Sequence, residues 1–325
     1  MKDRIFVIDG SSYLYRAFHA MPPLSTSSGK PTGAVKGVTN MLINLKKESE
    51  GSPIIVVFDA KGKTFRNDIY KEYKANRPPM PDELREQLEP VKSICRAIGF
   101  PLIEISGVEA DDVIATIARM AKDVKYKCVI SSLDKDLMQL VEDPHTTMMN
   151  TMKHIIFNEE KVFKKFGVKP NQVRDMLALT GDSSDNIPGV PKVGQKTAAK
   201  WLNEYGNLEG IKKNAESITG VVGENLRNSL NDLDRNVELV SLKADVDLKL
   251  DFKDLLKLTP NDEELNKIFI ELEFKAIENN KEKETPKKDS KYETVLTEKD
   301  LNKWINKINK SKVFALDTET DSVNT

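Results

Sequence analysis

Short apolar runs recur through the first 130 residues, and a stretch with helical spacing follows each of them. The runs are three to six residues long, contain many Val and Ile residues, and lie at 5–8, 53–58, 101–105 and 128–130. Runs without polar alternation are typical of strands buried on both faces of a parallel sheet. Their alternation with helices predicts an α/β fold with a mostly parallel central sheet flanked by helices.

Apolar positions spaced three and four apart predict further helices, at 33–47, 82–98, 159–166 and 171–180. Ser11 or Ser12 is expected to cap the helix after the first strand, and Asp82 is expected to cap a later one. The segments 146–150 and 154–157 predict a short hairpin-like pair of strands.

The last part of the chain has a different pattern. Residues 279–291 are highly charged, contain Pro286 and lack periodicity, which predicts a linker. Beyond the linker, 292–295 and 313–316 predict strands and 298–308 predicts a helix. A further domain is expected to begin there.

Carboxylates stand at the ends of the predicted strands. Asp9 follows the first run and Asp59 follows the second. The fourth run leads to Asp134 and Asp136. Open α/β sheets place their ligands at the carboxyl ends of strands. Each acid alone can be interpreted as a turn residue, but the repetition favours a shared site.

Three more acids crowd the junction between the third strand and the next helix, where the sequence is Gly-Val-Glu-Ala-Asp-Asp. They are Glu109, Asp111 and Asp112. A helix N-terminus tolerates negative charge, but a capping role needs one acid or two. The surplus indicates a hard cation that prefers oxygen ligands, Mg²⁺ or Mn²⁺. An over-capped, solvated helix start is the alternative, and this hexapeptide alone does not decide between them.

Basic and aromatic residues alternate after the second strand. They include Lys61, Arg66, Tyr73, Lys74 and Arg77. Cations for phosphates and rings for stacking suit a nucleic-acid strand, although a solvated basic helix gives the same pattern. The insert at 62–98 is longer than a crossover between strands needs, and it predicts a mobile helical arch over the sheet end.

An acid pair, Asp182 and Asp185, precedes a stretch that has the pattern of a helix–hairpin–helix motif. Glycines permit its tight turns, and backbone N–H groups at the next helix start hold a phosphate. Such a motif grips duplex backbone without reading sequence; a simple turn between helices is the weaker alternative. The expected contact residues are Gly189, Val190, Lys192, Gly194, Lys196 and Thr197.

The near-neutral charge conceals an uneven distribution. Lys and Arg number 50 and Asp and Glu number 51, which gives a net charge of −1. Setting aside the nine clustered acids leaves −1 + 9 = +8 on the rest. An acidic pocket within a basic surface is expected of an enzyme that handles polyanions through metal ions.

Cysteine usage and hydropathy bear on the compartment. Cys95 and Cys128 lie in apolar surroundings, and they are expected to be buried free thiols of a cytoplasmic protein. No apolar run is long enough to span a membrane, and the start of the chain lacks the pattern of a signal peptide. Membranes are therefore not an expected partner.

Together these motifs resemble the N-terminal 5′ nuclease domain of bacterial DNA polymerase I, a relative of flap endonucleases and phage 5′ nucleases. The segments that carry the resemblance are Asp9–Arg16, Phe58–Arg66, Tyr73–Pro81, Gly107–Asp112 and Gly181–Pro191. They span most of residues 1 to about 275. Residues 314–322 resemble the first motif of the polymerase's proofreading 3′–5′ exonuclease domain. One departure is Leu133, where the family usually has Gly.

The resemblance implies a domain plan. It places a PIN-like 5′ nuclease core at 1–170, with the arch at about 62–98. A helix–hairpin–helix subdomain follows at 171–278. After the linker, 292–325 would be a truncated start of the 3′–5′ exonuclease domain.

The resemblance also implies roles for the site residues. One divalent ion would be held by Asp9, Asp59, Glu109, Asp111 and Asp112. A second would be held by Asp134, Asp136, Asp182 and Asp185. Lys74 and Arg77 would neutralise the scissile phosphate, assisted by Arg16, and Tyr73 would stack on a displaced base. The hairpin would hold the duplex, with K⁺ as an additional cofactor.

The implied activity is structure-selective hydrolysis of 5′ flaps and 5′ ends, including RNA primers, to leave 5′-phosphates. The expected partner is DNA with flaps, nicks or primers, bound by a monomer located with the nucleoid. A polymerase module in cis is expected if the chain is a fragment. An RNA-directed nuclease and a non-catalytic DNA-binding subunit are the alternatives, disfavoured by the hairpin and by the complete acid set respectively.

Overall fold

A six-stranded sheet organises the first of two units in the computed structural model, which describes residues 3–150, 155–274, 293–311 and 313–315. The strands are β1 (Arg4–Asp9), β2 (Ile54–Val57), β3 (Leu102–Ile103), β4 (Lys127–Ser131), β5 (Thr146–Asn150) and β6 (Ile155–Phe157). Their order is β3-β2-β1-β4-β5-β6, and all neighbours are parallel except β5 and β6. The predicted α/β class, with its mostly parallel sheet, is confirmed.

The first unit contains twelve α-helices within the described residues. They are α1 (Gly10–Ala20), α2 (Gly33–Glu48), α3 (Phe65–Ile69), α4 (Asp82–Ile98), α5 (Ala110–Asp123), α6 (Glu159–Phe166), α7 (Pro170–Thr180), α8 (Gln195–Tyr205), α9 (Leu208–Lys213), α10 (Gly220–Val240), α11 (Phe252–Leu255) and α12 (Asp262–Glu271). The helices predicted at 33–47, 82–98, 159–166 and 171–180 are confirmed as α2, α4, α6 and α7. A 3₁₀ helix spans Asp136–Leu140. Two predicted caps are wrong: Asp9, not Ser11 or Ser12, caps α1, and Pro81 precedes α4 with Asp82 as its first residue.

The central position of β1 brings the acidic strand ends together. In register, Asp9 lies beside Val57 of β2, and Ile8 lies beside Ser131 of β4. All three strands are buried on both faces at these positions, as their continuous apolar runs predict. The loops that leave β1, β2 and β4 therefore begin at the same edge of the sheet.

The predicted arch is shorter than expected. Helix α4 packs against α2 and α12, and Leu84, Val91 and Ile94 on its inner face are buried. Its apolar stripe makes it a core helix, so residues 82–98 do not stand free. The part that crosses the sheet end is the stretch from 61 to 81, which contains α3 and a series of turns.

The helical part of the first unit is built on α7, α8 and α10. The hairpin between α7 and α8 carries the second acid pair and the glycine motif. After α10 the chain returns to the α/β part, where Val246 N donates a hydrogen bond to Thr116 Oγ1 of α5 at 3.1 Å. Asn261 N, before α12, donates to the Ala97 carbonyl of α4 at 2.8 Å.

The second unit contains α13 (Glu298–Lys310), which confirms the helix predicted at 298–308. Residues 293–295 and 313–315 are not in strands, so the strands predicted there are wrong over those positions. The predicted linker at 279–291 and the acids after Leu316 lie outside the described residues. No helix within the described ranges is long and apolar enough to cross a membrane.

Candidate active site

The strand-end acids and the acids of the α7–α8 hairpin line one cavity of about 400 Å³. Its carboxylates are Asp9, Asp59, Glu109, Asp111, Asp134, Asp136, Asp182 and Asp185. Its cationic side chains are Arg66, Lys74, Arg77 and Lys135. Eight carboxylates minus four cations leave an excess of four negative charges when all are ionised. Eight of the nine predicted metal ligands are thus brought together.

Asp9 is held rigidly at the end of β1. Its Oδ1 accepts a hydrogen bond from Ser12 N at 2.8 Å, and its Oδ2 accepts one from Ser132 Oγ at 2.8 Å. Burial raises the pKa of Asp9 to about 6, and the charges of Asp59 and Asp134 add to the rise. The two hydrogen bonds lower the pKa of Asp9, but they do not offset the effect of burial.

Asp59 and Asp111 complete this side of the cavity. Asp59 Oδ1 accepts from Ala110 N, the first residue of α5, at 2.9 Å. The Asp59 amide donates to Ser11 Oγ at 3.2 Å, which ties the end of β2 to α1. Burial and then the charges of Asp134 and Asp9 raise the pKa of Asp111 well above its ordinary value. These acids repel one another when they are ionised, and a bound cation would relieve that repulsion.

Asp136 faces the same cavity from the 3₁₀ helix. Its Oδ1 is buried and has no hydrogen-bond partner among the described residues. Burial, followed by the charges of Asp134 and Asp182, raises its pKa to about 7. Asp134 Oδ1 accepts from Asp136 N at 2.9 Å, so the two acids are locked at a fixed spacing.

The charges of the two acids in the α7–α8 hairpin, Asp182 and Asp185, are balanced by nearby cationic side chains. Burial would raise the pKa of Asp182, but Lys135 and Ser184 hold it below its ordinary value. Lys135 Nζ lies 2.8 Å from Asp182 Oδ2, and Ser184 N donates to Asp182 Oδ1 at 2.8 Å. Asp185 is paired with Arg77 through its Oδ1. Lys135 was not among the predicted site residues, although its position between Asp134 and Asp136 was a usable signal.

The predicted basic segment contacts these acids through Lys74 and Arg77. Lys74 Nζ lies 2.5 Å from Glu109 Oε1 and 3.7 Å from Asp185 Oδ2. Lys74 N also donates to the Asp185 carbonyl at 2.9 Å, and the residue adopts a left-handed φ of +56°. Lys74 and Arg77 therefore serve as internal counter-ions of the carboxylates.

Tyr73 does not occupy a stacking position. Its side chain is buried, and its hydroxyl bridges Glu109 Oε2 and Asp185 Oδ2 at 3.1 Å each. Burial and the two carboxylates raise the pKa of Tyr73, so the hydroxyl remains a donor. The expected contact with a displaced base is not available to this side chain as placed.

Asp112 and Arg66 have environments unlike those expected. Asp112 is 0% exposed, lies outside the cavity and forms a two-bond ion pair with Arg66 at 2.7 and 2.8 Å. Its oxygens also accept from Glu109 N and Lys243 N. Arg66 is 1% exposed. The structure therefore differs from two predictions: Asp112 is not among the acids that line the cavity, and Arg66 is buried instead of exposed at a surface that DNA could reach.

The remaining predicted DNA contacts are divided between surface and interior. Lys61, Lys192, Gly194 and Lys196 are exposed, and Thr197 is half-buried on the first turn of α8. Val190 is 2% exposed and donates its amide to the Leu179 carbonyl at 2.8 Å, so its role is in packing. Gly189 packs against the backbone of Thr180 and Gly181. Arg16 is half-buried over the ring of Tyr13, 5.0 Å from its centroid.

The donor set fits a divalent cation. It consists of carboxylate oxygens without His or Cys, which suits Mg²⁺ or Mn²⁺, and it includes the partnerless Oδ1 of Asp136. As placed, no three such side chains within the described ranges are already gathered at ion-binding distances. The internal cations hold several of them instead.

Family models cover both parts of the first unit. Residues 4–167 match the family described as 5′-3′ exonuclease, N-terminal resolvase-like domain, and residues 168–264 match 5′-3′ exonuclease, C-terminal SAM fold. The chain is 44% identical to DNA polymerase I of Pseudomonas aeruginosa over 339 residues, covering 98% of this chain and 37% of that protein. It is 43% identical to a 5′-3′ exonuclease of Aquifex aeolicus, covering 84% of this chain and 93% of that one.

Solved structures show the same architecture. A T5 5′-exonuclease with bound divalent zinc ions matches with a TM-score of 0.65 at 25% identity, covering 83% of this chain and 99% of that one. The catalytic core of Rad2 in complex with DNA substrate matches with a TM-score of 0.54 at 16% identity, covering 83% and 87%, which shows a shared fold. Together with the family models, these matches establish that the chain belongs to the 5′–3′ exonuclease family of phosphodiester-cleaving nucleases.

Proposed function

We propose that the chain hydrolyses phosphodiester bonds at 5′ flaps and 5′ ends of DNA, including RNA-primed ends, and leaves 5′-phosphates. The observation that carries the proposal is the single cavity in which eight carboxylates face four cations. A phosphodiester is an anion, and an acidic cavity repels it unless cations are added. The T5 relatives, solved with divalent metal ions and in one case with DNA, support the same chemistry here.

Two groups of carboxylates would hold the ions. Asp9, Asp59, Glu109 and Asp111 form the first group, and Asp134, Asp136, Asp182 and Asp185 form the second. When bound, two divalent ions activate a water and stabilise the entering and leaving oxygens at phosphorus. The protein's part is to hold these oxygens at fixed positions. Hydrogen bonds from Ser12, Ser132 and Ser184 do so at Asp9 and Asp182.

Lys74 and Arg77 are the groups that would meet the scissile phosphate. Their side chains are 26% and 51% exposed at the mouth of the cavity, and both pair with Asp185. With the charges of Asp185 and Glu109 neutralised, Lys74 and Arg77 would be free to pair with the phosphate instead. Cations aimed at the charge that develops in phosphoryl transfer lower its barrier.

The α7–α8 hairpin would hold duplex DNA beside the cavity. Exposed Lys192 and Lys196 flank Gly194, which precedes the first turn of α8. The free amides of that turn are suited to a phosphate, and no base needs to be read. A K⁺ ion bound by the hairpin is part of the proposal.

The cellular role follows from the relatives. The chain spans 37% of the length of the P. aeruginosa polymerase, and the A. aeolicus relative is a 5′-3′ exonuclease of similar length to the first unit. We infer primer removal in replication and repair, in the cytoplasm and at the nucleoid. A polymerase module in cis is part of this proposal, and the nuclease unit itself would act as a monomer.

Three labelled substrates test the proposal: a 5′-flap duplex, a nicked duplex with an RNA primer, and a free RNA strand. With Mg²⁺ we expect cutting near the flap junction and at the primer, little cutting of free RNA, and none in EDTA. Preference for free RNA would favour an RNA-directed nuclease. Tight flap binding without cutting in any metal would show a DNA-binding protein and contradict the proposal.

A further inference from the structure

The buried ion pair of Arg66 and Asp112 lies where three parts of the first unit meet. Arg66 belongs to α3 and Asp112 to the first turn of α5. Arg66 Nε donates to the Leu239 carbonyl at 2.8 Å, and Arg66 Nη2 donates to the Ser241 carbonyl at 2.8 Å. The guanidinium thereby joins the start of α5 to the end of α10.

The same pair fixes Glu109, which faces the cavity. Glu109 N donates to Asp112 Oδ2 at 3.0 Å, and Arg66 Nη1 lies 3.5 Å from Glu109 Oε2. Both the backbone and the carboxylate of Glu109 are therefore tied to the pair. A shift of the pair would move a carboxylate of the first group.

Helix α10 extends this connection to the second group. Asn236 is 2% exposed, and its Nδ2 donates to the carbonyls of Pro188 and Ala178 on either side of the turn that carries Asp182 and Asp185. Asn236 and Leu239 are three residues apart, less than one helical turn. Arg66 and the hairpin are thus attached to the same rigid end of α10.

We propose that Arg66 and Asp112 are positioning residues, which set the spacing between the two carboxylate groups, and that Asp112 is not an ion ligand. Each Asp112 oxygen already accepts two hydrogen bonds, and the residue is 0% exposed. A buried ion pair adds little stability over well-packed apolar residues, but losing one partner is costly. Here the pair contributes by fixing the positions of the segments that carry the two carboxylate groups. This inference rests on the proposed function for its effect on catalysis.

Asp111→Asn and Asp112→Asn are a matched pair that tests the inference, because the change is identical at adjacent positions. Without metal, Asp111→Asn should raise the melting temperature, since it removes one acid from the eight that line the cavity. Asp112→Asn should lower it by roughly 5–15 °C, since it leaves Arg66 under-compensated. Titration with Mn²⁺ should give the parent number of ions for Asp112→Asn and weaker binding for Asp111→Asn.

Kinetics separate positioning from a purely structural role. At a temperature where Asp112→Asn is folded by circular dichroism, its kcat on the flap duplex should fall roughly 100-fold with little change in KM. Arg66→Lys keeps the charge but loses the fork of hydrogen bonds. It should show the same pattern at a smaller cost in melting temperature, and it replaces Asp112→Asn if that variant does not fold.

Two results would overturn the inference. One is loss of a Mn²⁺ ion from Asp112→Asn with no fall in melting temperature, which would make Asp112 a ligand. The other is a folded Asp112→Asn or Arg66→Lys with the parent kcat, which would make the pair only structural. If the parent itself does not cut flaps, the proposed function fails, whereas melting and Mn²⁺ binding still decide whether Asp112 is a ligand.

Discussion

Gly189 and Gly194 are five residues apart in one hairpin, but the structure gives them opposite tolerance to a methyl group. A Cβ on Gly189 would lie within 3.0 Å of the Thr180 carbonyl carbon and oxygen and of Gly181 N, all of them backbone. Nothing lies within 4 Å of a Cβ on Gly194, whose φ of −101° suits any residue. We therefore predict that Gly189→Ala is strongly destabilising and Gly194→Ala is not.

The free-energy cost of Gly189→Ala follows from the movement of the hairpin backbone that the added methyl group requires. To admit the methyl group, the hairpin backbone must part by about 1 Å from the end of α7, a form of overpacking that costs about 1–3 kcal/mol. The same movement stretches the hydrogen bond from Val190 N to the Leu179 carbonyl, which contributes about 1 kcal/mol. A total of about 3 kcal/mol lowers the melting temperature of a domain of this size by roughly 6–12 °C. Gly194→Ala costs at most about 1 kcal/mol, the scale of a changed N-cap.

Thermal unfolding of the parent and both variants, followed by circular dichroism, measures this difference. Gly194→Ala is the control for the loss of a hairpin glycine without a clash. Because Gly194 lies at the exposed start of α8, its variant should weaken flap-duplex binding while the chain stays stable. Equal melting temperatures for Gly189→Ala and the parent would refute the close approach of the hairpin to α7.

Three further predictions concern the cavity. The raised pKa values of Asp9 (about 6) and Asp136 (about 7) mean that the metal-free folded chain holds protons which the unfolded chain releases. The stability from these two groups is present below their ordinary pKa of 3.8 and is lost as the pH rises through about 6 and 7. Melting curves in EDTA should show this fall and Mg²⁺ should reduce it, and a flat pH profile would contradict it. Lys74→Met removes a counter-ion of Glu109 and Asp185, so calorimetry should show tighter Mg²⁺ binding while single-turnover cutting slows roughly 100-fold; weaker Mg²⁺ binding would count against the pairing. Leu133→Gly removes a side chain that is 43% exposed, so unfolding free energy should fall by no more than about 1 kcal/mol, and a larger loss would show that the Leu133 side chain packs in solution.

The sheet and the acidic strand ends could be predicted from the sequence because they depend on local patterns. A continuous apolar run identifies a doubly buried strand, and parallel pairing then brings Asp9 and Asp59 to one edge. The acid-rich start of α5 was harder to interpret, because its acids take different positions. Asp112 and Glu109 form a capping box, whereas Glu109 and Asp111 also face the cavity.

What the sequence could not predict are contacts between distant segments. Arg66 looks like any basic residue in a charged stretch, and its burial depends on carbonyls 173 and 175 residues away. The buried position of the Tyr73 hydroxyl depends on its hydrogen bond to Asp185, which lies 112 residues later in the chain. Helix α4 showed an apolar stripe, but its amphipathic pattern did not reveal that α2 and α12 would cover it.

We propose above that one acidic cavity cuts phosphodiester bonds with the help of divalent ions. Single-turnover cleavage of a 5′-end-labelled flap duplex tests it most directly, with Mg²⁺ for the parent and for Asp111→Asn combined with Asp182→Asn. We predict that the parent cuts near the junction and that the double variant binds the flap but does not cut it. Cutting by the double variant at the parent rate would contradict the account, because both carboxylate groups would then be dispensable.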